Sequence, residues 1–231
     1  MPFPGKFPRT PILCYVTDRK SLPASLVANP QALIERIAAA TKAGVDWIQI
    51  REKDLCASEI SGLVRESLAL AKQAQQENHA PKILVNDRLD VAVAERAGGV
   101  HLGENSLPAQ TVSHWIGSLA NRPGLQNFLV GVSCHSLAGA IKAQQDGANY
   151  IFFGPVFVTP SKVSFGTPQG LGKLREVCSA VSLPVLAIGG IALENVTSCL
   201  GAGASGIAAI RLFQDAADMP ALIAHLRAAR S

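Results

Sequence analysis

Gln49, Arg51 and Lys53 alternate at the end of a short apolar run that begins at Trp47. If the backbone stays extended, a period of two places all three side chains on one face. Arginine offers a planar fork of donors and lysine a compact charge, a pair suited to a dianion or a pyrophosphate. The competing reading is a solvated run whose cations pair with their neighbours Glu52 and Asp54. A second pair, Asn86 and Asp87, closes the run KILVN and supplies hard oxygen atoms of the kind that hold Mg2+ against phosphate. Those two residues are equally suited to capping a following helix, and Arg88 to neutralising a phosphate or pairing with Asp90.

Ser133, Cys134 and His135 close another apolar run. His135 suits acid–base work near neutrality, or it opens a helix with Ser136 as its cap. His101 follows Val100 inside a strand-like run and reads as a structural histidine or as a catalyst. The stretch NYIFFGPVFVTPSK, residues 149–162, turns from a wholly apolar strand into a loop that carries Thr159, Ser161 and Lys162 and continues to Gly166 and Gly170. Such a loop reads as a mobile lid that brings a hydroxyl and an ammonium inward. Gly189 and Gly190 precede a helix starting near Leu193, where free N–H groups make a phosphate seat. The histidines lack metal-ligand spacing and no HExxH occurs, so structural zinc is not expected.

The elements that would position these groups repeat along the chain. Strands are expected at 12–17, near Trp47 to Ile50, at 82–86, around Val100 and His101, and at 128–132, 150–153, 184–188 and 205–210. Helices are expected at about 31–42, 57–77, 137–146, 171–180 and 193–200, with a short one after Arg88 and a terminal one after Met219. YIFF has no polar face and belongs in a sheet covered on both sides. Eight strand–helix units of about 28 residues favour a single-domain α/β fold, a TIM (β/α)8 barrel, over an open doubly wound sheet. In such a barrel every candidate group falls at the carboxyl end of a strand.

The chain has 231 residues, 48% of them hydrophobic, enough for one large core. No apolar run is long enough to cross a bilayer. Residues 1–10, MPFPGKFPRT, have no apolar centre of a signal peptide and read as a flexible lead-in to a domain spanning 11–231. Cytoplasmic residence follows as an expectation. The five cysteines show no CxxC spacing, which argues against a disulfide framework. A formal charge of +4 with dispersed basic residues gives no nucleic-acid track and no lipid surface.

Taken together, QIREK, VNDR, GVHLG, GVSCHS, GPVFVTPSK and VLAIGGI resemble the thiamine phosphate synthase family and the related thiazole tautomerase family, from YVTD at 15–18 to GIAAI at 206–210. A synthase joins an aminopyrimidine methyl diphosphate to a hydroxyethylthiazole phosphate with release of pyrophosphate. The resemblance implies that Gln49, Arg51, Lys53 and Asn86 bind the pyrimidine and its pyrophosphate, that Asp87 binds Mg2+, and that Ser133 meets the pyrimidine. Thr159 and Lys162 would close on the leaving group, while Gly190 and the backbone at Ala209 and Ile210 would hold the thiazole phosphate. The chain departs from the synthase pattern after HLG: Ser106 stands where a second metal-binding aspartate is expected, and Glu104 where glutamine is expected. Three expectations stay open: Glu104 supplies the missing charge, magnesium binds more weakly, or the activity differs. The second family implies an isomerase with His135 as acid and base, and a third possibility is a barrel that binds phosphate ligands without turnover. A homodimer is compatible with all three.

Overall fold

The computed structural model describes residues 10–23, 29, 31–75, 80–103, 105–119, 124–159 and 167–229. Eight parallel strands close into a barrel in chain order: β1 (Ile12–Val16), β2 (Trp47–Ile50), β3 (Lys82–Asn86), β4 (Gly99–Leu102), β5 (Leu129–Cys134), β6 (Tyr150–Phe153), β7 (Val185–Ile188) and β8 (Gly206–Ala209). Closure pairs β1 with β8, Ile12 facing Gly206 and Tyr15 facing Ala209. The described helices are α1 (Ala32–Ala43), α2 (Ala57–Gln75), α3 (Leu89–Ala94), α4 (Ala109–Ser118), α5 (Leu137–Gln145), α6 (Gly170–Ala180), α7 (Leu193–Gly201), α8 (Arg211–Gln214) and α9 (Met219–Ala228), beside one 3-10 turn at Arg19–Ser21. Among the described residues no helix is long and apolar enough to cross a membrane.

Strand alternation divides the core in two. Leu13, Tyr15, Ile48, Ile50, Ile83, Val85, Ile151 and Phe153 face the helices and pack with Ile37, Val64, Leu174 and Leu226. The other register fills the barrel: Cys14, Val16, Trp47, Leu84, Leu129, Tyr150, Phe152, Leu186 and Ala208. Both faces of each strand are therefore buried, as the apolar runs require. Gly131, on the inner register of β5, makes room for Tyr150: a Cβ there would lie 1.9 Å from the Tyr150 ring.

Local signals set the ends. Gly44 stops α1 at φ 93° with its N–H on the carbonyls of Ala40 and Thr41. Ser136 caps α5 and Asp218 caps α9. At the amino end of the barrel Arg227 ties α9 to the carbonyls of Pro11 and Gly44 at 2.6 and 2.8 Å and to Asp46 at 2.9 Å.

The expected strands are all present with small shifts of their ends. β1 stops at Val16, one residue short of the expected end, although the Thr17 N–H still bonds the Gln49 carbonyl at 2.9 Å, while β5 runs on to Cys134 because Ser133 and Cys134 pair with Phe152 and Phe153. The sequence reading did not assign α4 or the one-turn α8. α4 buries Ala109, Val112 and Ile116, a helical spacing hidden by polar neighbours. Residues 1–9 of the proposed lead-in lie outside the described residues.

Candidate active site

The inner register that is apolar through most of the barrel becomes polar at the carboxyl ends of four adjacent strands. Gln49 on β2, Asn86 on β3, His101 on β4 and Ser133 on β5 continue the inward rows of Trp47, Leu84 and Leu129. Asn86 lies opposite His101 in the β3–β4 register. The other half of the rim stays apolar, with Ile188 and Ile210 packed on the interior cluster. A flat ring with one polar edge and apolar faces suits such a half-polar mouth.

Gln49 is 1% exposed and donates its amide N–H to Asn86 Oδ1 at 2.9 Å. Its own Oε1 is buried without a hydrogen-bond partner among the described residues. An unmade bond at a buried acceptor is costly. Swapping both amides still leaves one donor and one acceptor of the pair outside the bond between them.

His101, 2% exposed, bridges Ser133 and Tyr150, with Nε2 2.9 Å from Ser133 Oγ and Nδ1 3.1 Å from Tyr150 Oη. Its ring also stacks on Phe152 at 4.2 Å. A histidine so enclosed orients the Ser133 hydroxyl, which is the structural half of the sequence expectation. Burial pushes the Tyr150 hydroxyl well above the ordinary tyrosine range, so it stays protonated. Sequence reasoning missed Tyr150 in this role. Its position in YIFF, two residues before Phe152 on the inner row, was the available signal.

The cations divide by partner. Glu52 and Asp54 do not pair with Arg51 and Lys53, as the bland reading supposed. Arg19 takes both oxygens of Asp54 at 2.7 and 2.8 Å and reaches Glu52 at 3.3 Å, while Lys20 takes Asp54 at 2.8 Å. Arg51 keeps only a 3.9 Å contact with Asp18, and Lys53 makes no ion pair among the described residues. The paired strand ends at Ile50; beyond it Arg51 is half-buried and Glu52 buried, and Lys53 is exposed where a turn begins. The Lys53 pKa is lowered, first by the nearby Arg51 charge and then by partial burial, against the opposing pull of Asp18 and Asp87. Two like charges kept together without full neutralisation form an anion seat.

Asp87 has φ 63°, a left-handed backbone unfavourable for a non-glycine residue. The helix behind it, α3, has Arg88 at its N-cap and no side-chain cap bond. Asn86 and Asp87 therefore do not cap it. Asp87 accepts no hydrogen bond from a described side chain, and its field is felt by Lys53 and Arg88. Arg88 itself pairs with Asp90, the second of the readings open to it.

A hard divalent cation fits this donor set in one way. Among the described residues no three carboxylate, histidine or cysteine side chains gather into a complete site. Asp87 offers one uncommitted carboxylate, and Mg2+ commonly takes one or two carboxylates with substrate phosphate oxygens and water. Ser106 does not add to the set, because its Oγ accepts the Gly103 N–H at 2.7 Å and closes the turn. Glu104, Ser161, Lys162 and Gly166 lie outside the described residues.

His135 donates from Nδ1 to the Gly154 carbonyl, tying the loop after β5 to the loop after β6. Gly189 and Gly190 have φ 93° and 66° and pack under that second loop: a Cβ at Gly190 would come within 2.5 Å of the Val158 carbonyl oxygen. Asn195 shapes the start of α7, accepting the Ala192 N–H at 3.0 Å and donating to the Gly190 carbonyl at 2.9 Å. Ala209 ends β8 and Ile210 follows it as the N-cap of α8. The structure thus gathers Gln49, Asn86, His101 and Ser133 in the mouth, with Arg51, Lys53 and Asp87 on one rim. Thr159 stands in the β6 loop, and Gly190, Ala209 and Ile210 at the ends of β7 and β8.

The family profile described as thiamine monophosphate synthase matches residues 13–213. A putative thiamine-phosphate synthase of Geobacter sulfurreducens is 38% identical over 198 residues, 86% of this chain and 84% of that protein. A thiamine-phosphate synthase of Methanoculleus marisnigri is 40% identical over 194 residues, 84% of this chain and 85% of that one. The solved thiamine phosphate pyrophosphorylase of Pyrococcus furiosus superimposes with a TM-score of 0.75 at 30% identity, covering 93% of each chain.

Proposed function

Because the chain belongs to the thiamine monophosphate synthase family, we propose that it is a transferase in thiamine biosynthesis. It couples 4-amino-2-methyl-5-pyrimidinylmethyl diphosphate with 4-methyl-5-(2-phosphooxyethyl)thiazole to give thiamine phosphate and pyrophosphate. The observation that carries this reading is the pairing of an unsatisfied amide edge, Gln49 with Asn86, with two uncommitted cations, Arg51 and Lys53, on adjacent strand ends. The first offers one donor and one acceptor to an aminopyrimidine, which presents the complementary set. The second meets the diphosphate one methylene away. A proton shift on a thiazole carboxylate phosphate, the isomerase alternative, uses neither.

The bond between the pyrimidine methylene and its diphosphate oxygen breaks, and its electron pair leaves with pyrophosphate. The thiazole nitrogen lone pair then forms the new carbon–nitrogen bond. No proton transfer is required, so the reaction needs no activated serine or cysteine. Burial raises the Cys134 thiol to about 12, far from a nucleophile's range. Ser133, oriented by His101, meets the pyrimidine. Arg51 and Lys53 stabilise charge on the departing pyrophosphate, with Thr159 and Lys162 closing from the β6 loop. Gly190 and the backbone at Ala209 and Ile210, near the start of α7, seat the thiazole phosphate. Asp87, with Glu104 in place of the aspartate lost at Ser106, would hold Mg2+, which would supply charge compensation for the leaving group. His135 holds two loops of the site together in this reading, and cytoplasmic residence belongs to the same proposal.

Coupling followed across a Mg2+ titration tests the metal assignment. Asp87→Asn raises the half-saturating Mg2+ concentration about tenfold or more, and Glu104→Gln shifts it the same way if Glu104 replaces the aspartate lost at Ser106. An unchanged titration in Asp87→Asn removes that residue from the metal site. No coupling at any Mg2+ concentration, with turnover of the thiazole carboxylate phosphate alone, replaces the transferase by the isomerase.

A further inference from the structure

A carboxylate placed between two cations, as Glu52 is between Arg51 and Lys53, would in an extended surface run neutralise them. Here it is buried, at 4% exposure, and faces away. Its Oε1 accepts the Thr17 hydroxyl at 2.7 Å, and its two oxygens accept the Arg19 backbone N–H at 3.3 and 3.0 Å. The Arg19 guanidinium adds a contact at 3.3 Å before it grips Asp54. Thr17 Oγ1 in turn accepts the Arg51 backbone N–H at 2.9 Å. A continuous chain thus runs from the Arg51 main chain through Thr17 to Glu52 and back to Arg19, stitching the end of β1 to the end of β2.

The sequence pattern explains the division. Asp-Arg-Lys at 18–20 meets Arg-Glu-Lys-Asp at 51–54, so each carboxylate of the second run finds a cation on the first. Glu52 and Asp54 are occupied by Arg19 and Lys20, which leaves Arg51 with its 3.9 Å approach to Asp18 and Lys53 without an ion pair among the described residues. Stability alone does not account for a buried ion pair, since apolar side chains of similar volume commonly serve as well. The network does something an apolar cluster cannot: it fixes the Arg51 main chain while keeping two negative charges out of the anion seat.

We infer that Glu52, acting through Thr17 and Arg19, is the positioning residue that aims Arg51 and Lys53 at the pyrophosphate end of the substrate. The inference rests on the reading that those two cations bind pyrophosphate. The test is calorimetric binding of inorganic pyrophosphate with Mg2+, and separately of the thiazole phosphate, to the parent, Arg51→Ala, Glu52→Gln, Thr17→Val and Thr17→Ser, with folding checked by circular dichroism. Glu52→Gln weakens pyrophosphate binding about 10- to 100-fold, the scale on which supporting residues act, and raises KM for the pyrimidine diphosphate far more than it lowers kcat. Thiazole phosphate affinity stays within about twofold of the parent. Thr17→Val follows Glu52→Gln, while Thr17→Ser, which keeps the hydroxyl, restores binding. If Glu52→Gln does not fold, the two Thr17 variants decide the same point.

Three results overturn the inference, each differently. Parent protein that binds no pyrophosphate removes the reading beneath it as well. Loss in Arg51→Ala with parent-like binding in Glu52→Gln and Thr17→Val removes the positioning role alone. Equal weakening of both ligands, or no rescue by Thr17→Ser, reduces the network to general support of the fold.

Discussion

Arg51→Ala is expected to lower kcat/KM for coupling by about 10²- to 10³-fold, the cost of removing one donor aimed at developing charge. The loss falls on the chemistry and not on the fold. Arg51 is half-buried, its only ion contact among the described residues is the 3.9 Å approach to Asp18, and its backbone N–H stays on Thr17 whatever the side chain. Thermal stability should therefore change little, as for most substitutions outside packed or networked positions. Arg51→Lys should recover part of the loss, because it keeps charge without the planar fork. The variant has a second readout: Arg51 is the main cause that lowers the Lys53 pKa, so in Arg51→Ala that pKa moves up towards the ordinary lysine value. Steady-state kinetics at saturating Mg2+ measure the first effect. Near-parent turnover would strip Arg51 of the assigned role.

Gly131→Ala is expected to destabilise the barrel strongly and to disturb the site with it. The added Cβ would sit 1.9 Å from Tyr150 Cζ and 2.3 Å from its hydroxyl oxygen. Tyr150 cannot retreat, being fully buried and packed on Trp47 and Phe152 with ring centroids 4.7 and 5.3 Å away. Overpacking of this kind costs about 3 kcal/mol or more, which lowers the thermal midpoint by about 6–12 °C in a chain of this size. Activity should fall as well, since displaced Tyr150 releases His101 and with it the orientation of Ser133. Replacing the ring in the double variant Gly131→Ala/Tyr150→Leu should restore part of the stability but not the activity. A single variant as stable as the parent would show that the interior tolerates movement this packing does not allow.

The fold was legible because parallel barrel strands bury both faces. ILCYV, YIFF and the ILV of KILVN are continuous apolar runs, and the last is closed by Asn86 of the mouth. The site was legible where strand alternation alone sets direction, at Gln49, Asn86 and Ser133. It was less legible where a side chain's meaning depends on a partner distant in sequence. Glu52 reads as a neighbour of Arg51 and Lys53 until Arg19 and Thr17, more than thirty positions earlier, come beside it. Likewise His101 takes its role from Ser133 and Tyr150, 32 and 49 residues away. The question of whether Asn86 and Asp87 cap a helix could only be answered by geometry, since the cap and ligand readings require the same residue types. α4 was missed because AQTVSHWIGS mixes its three buried positions with polar residues at a spacing that no flanking glycine or charge announces.

The most direct test of the central claim is a product balance on the purified chain, given the pyrimidine diphosphate, the thiazole phosphate and Mg2+. The account predicts thiamine phosphate and inorganic pyrophosphate in equal amounts, formed only when both substrates are present and sharply reduced in Arg51→Ala. Pyrophosphate without thiamine phosphate, or no product from either substrate under saturating Mg2+, would contradict it.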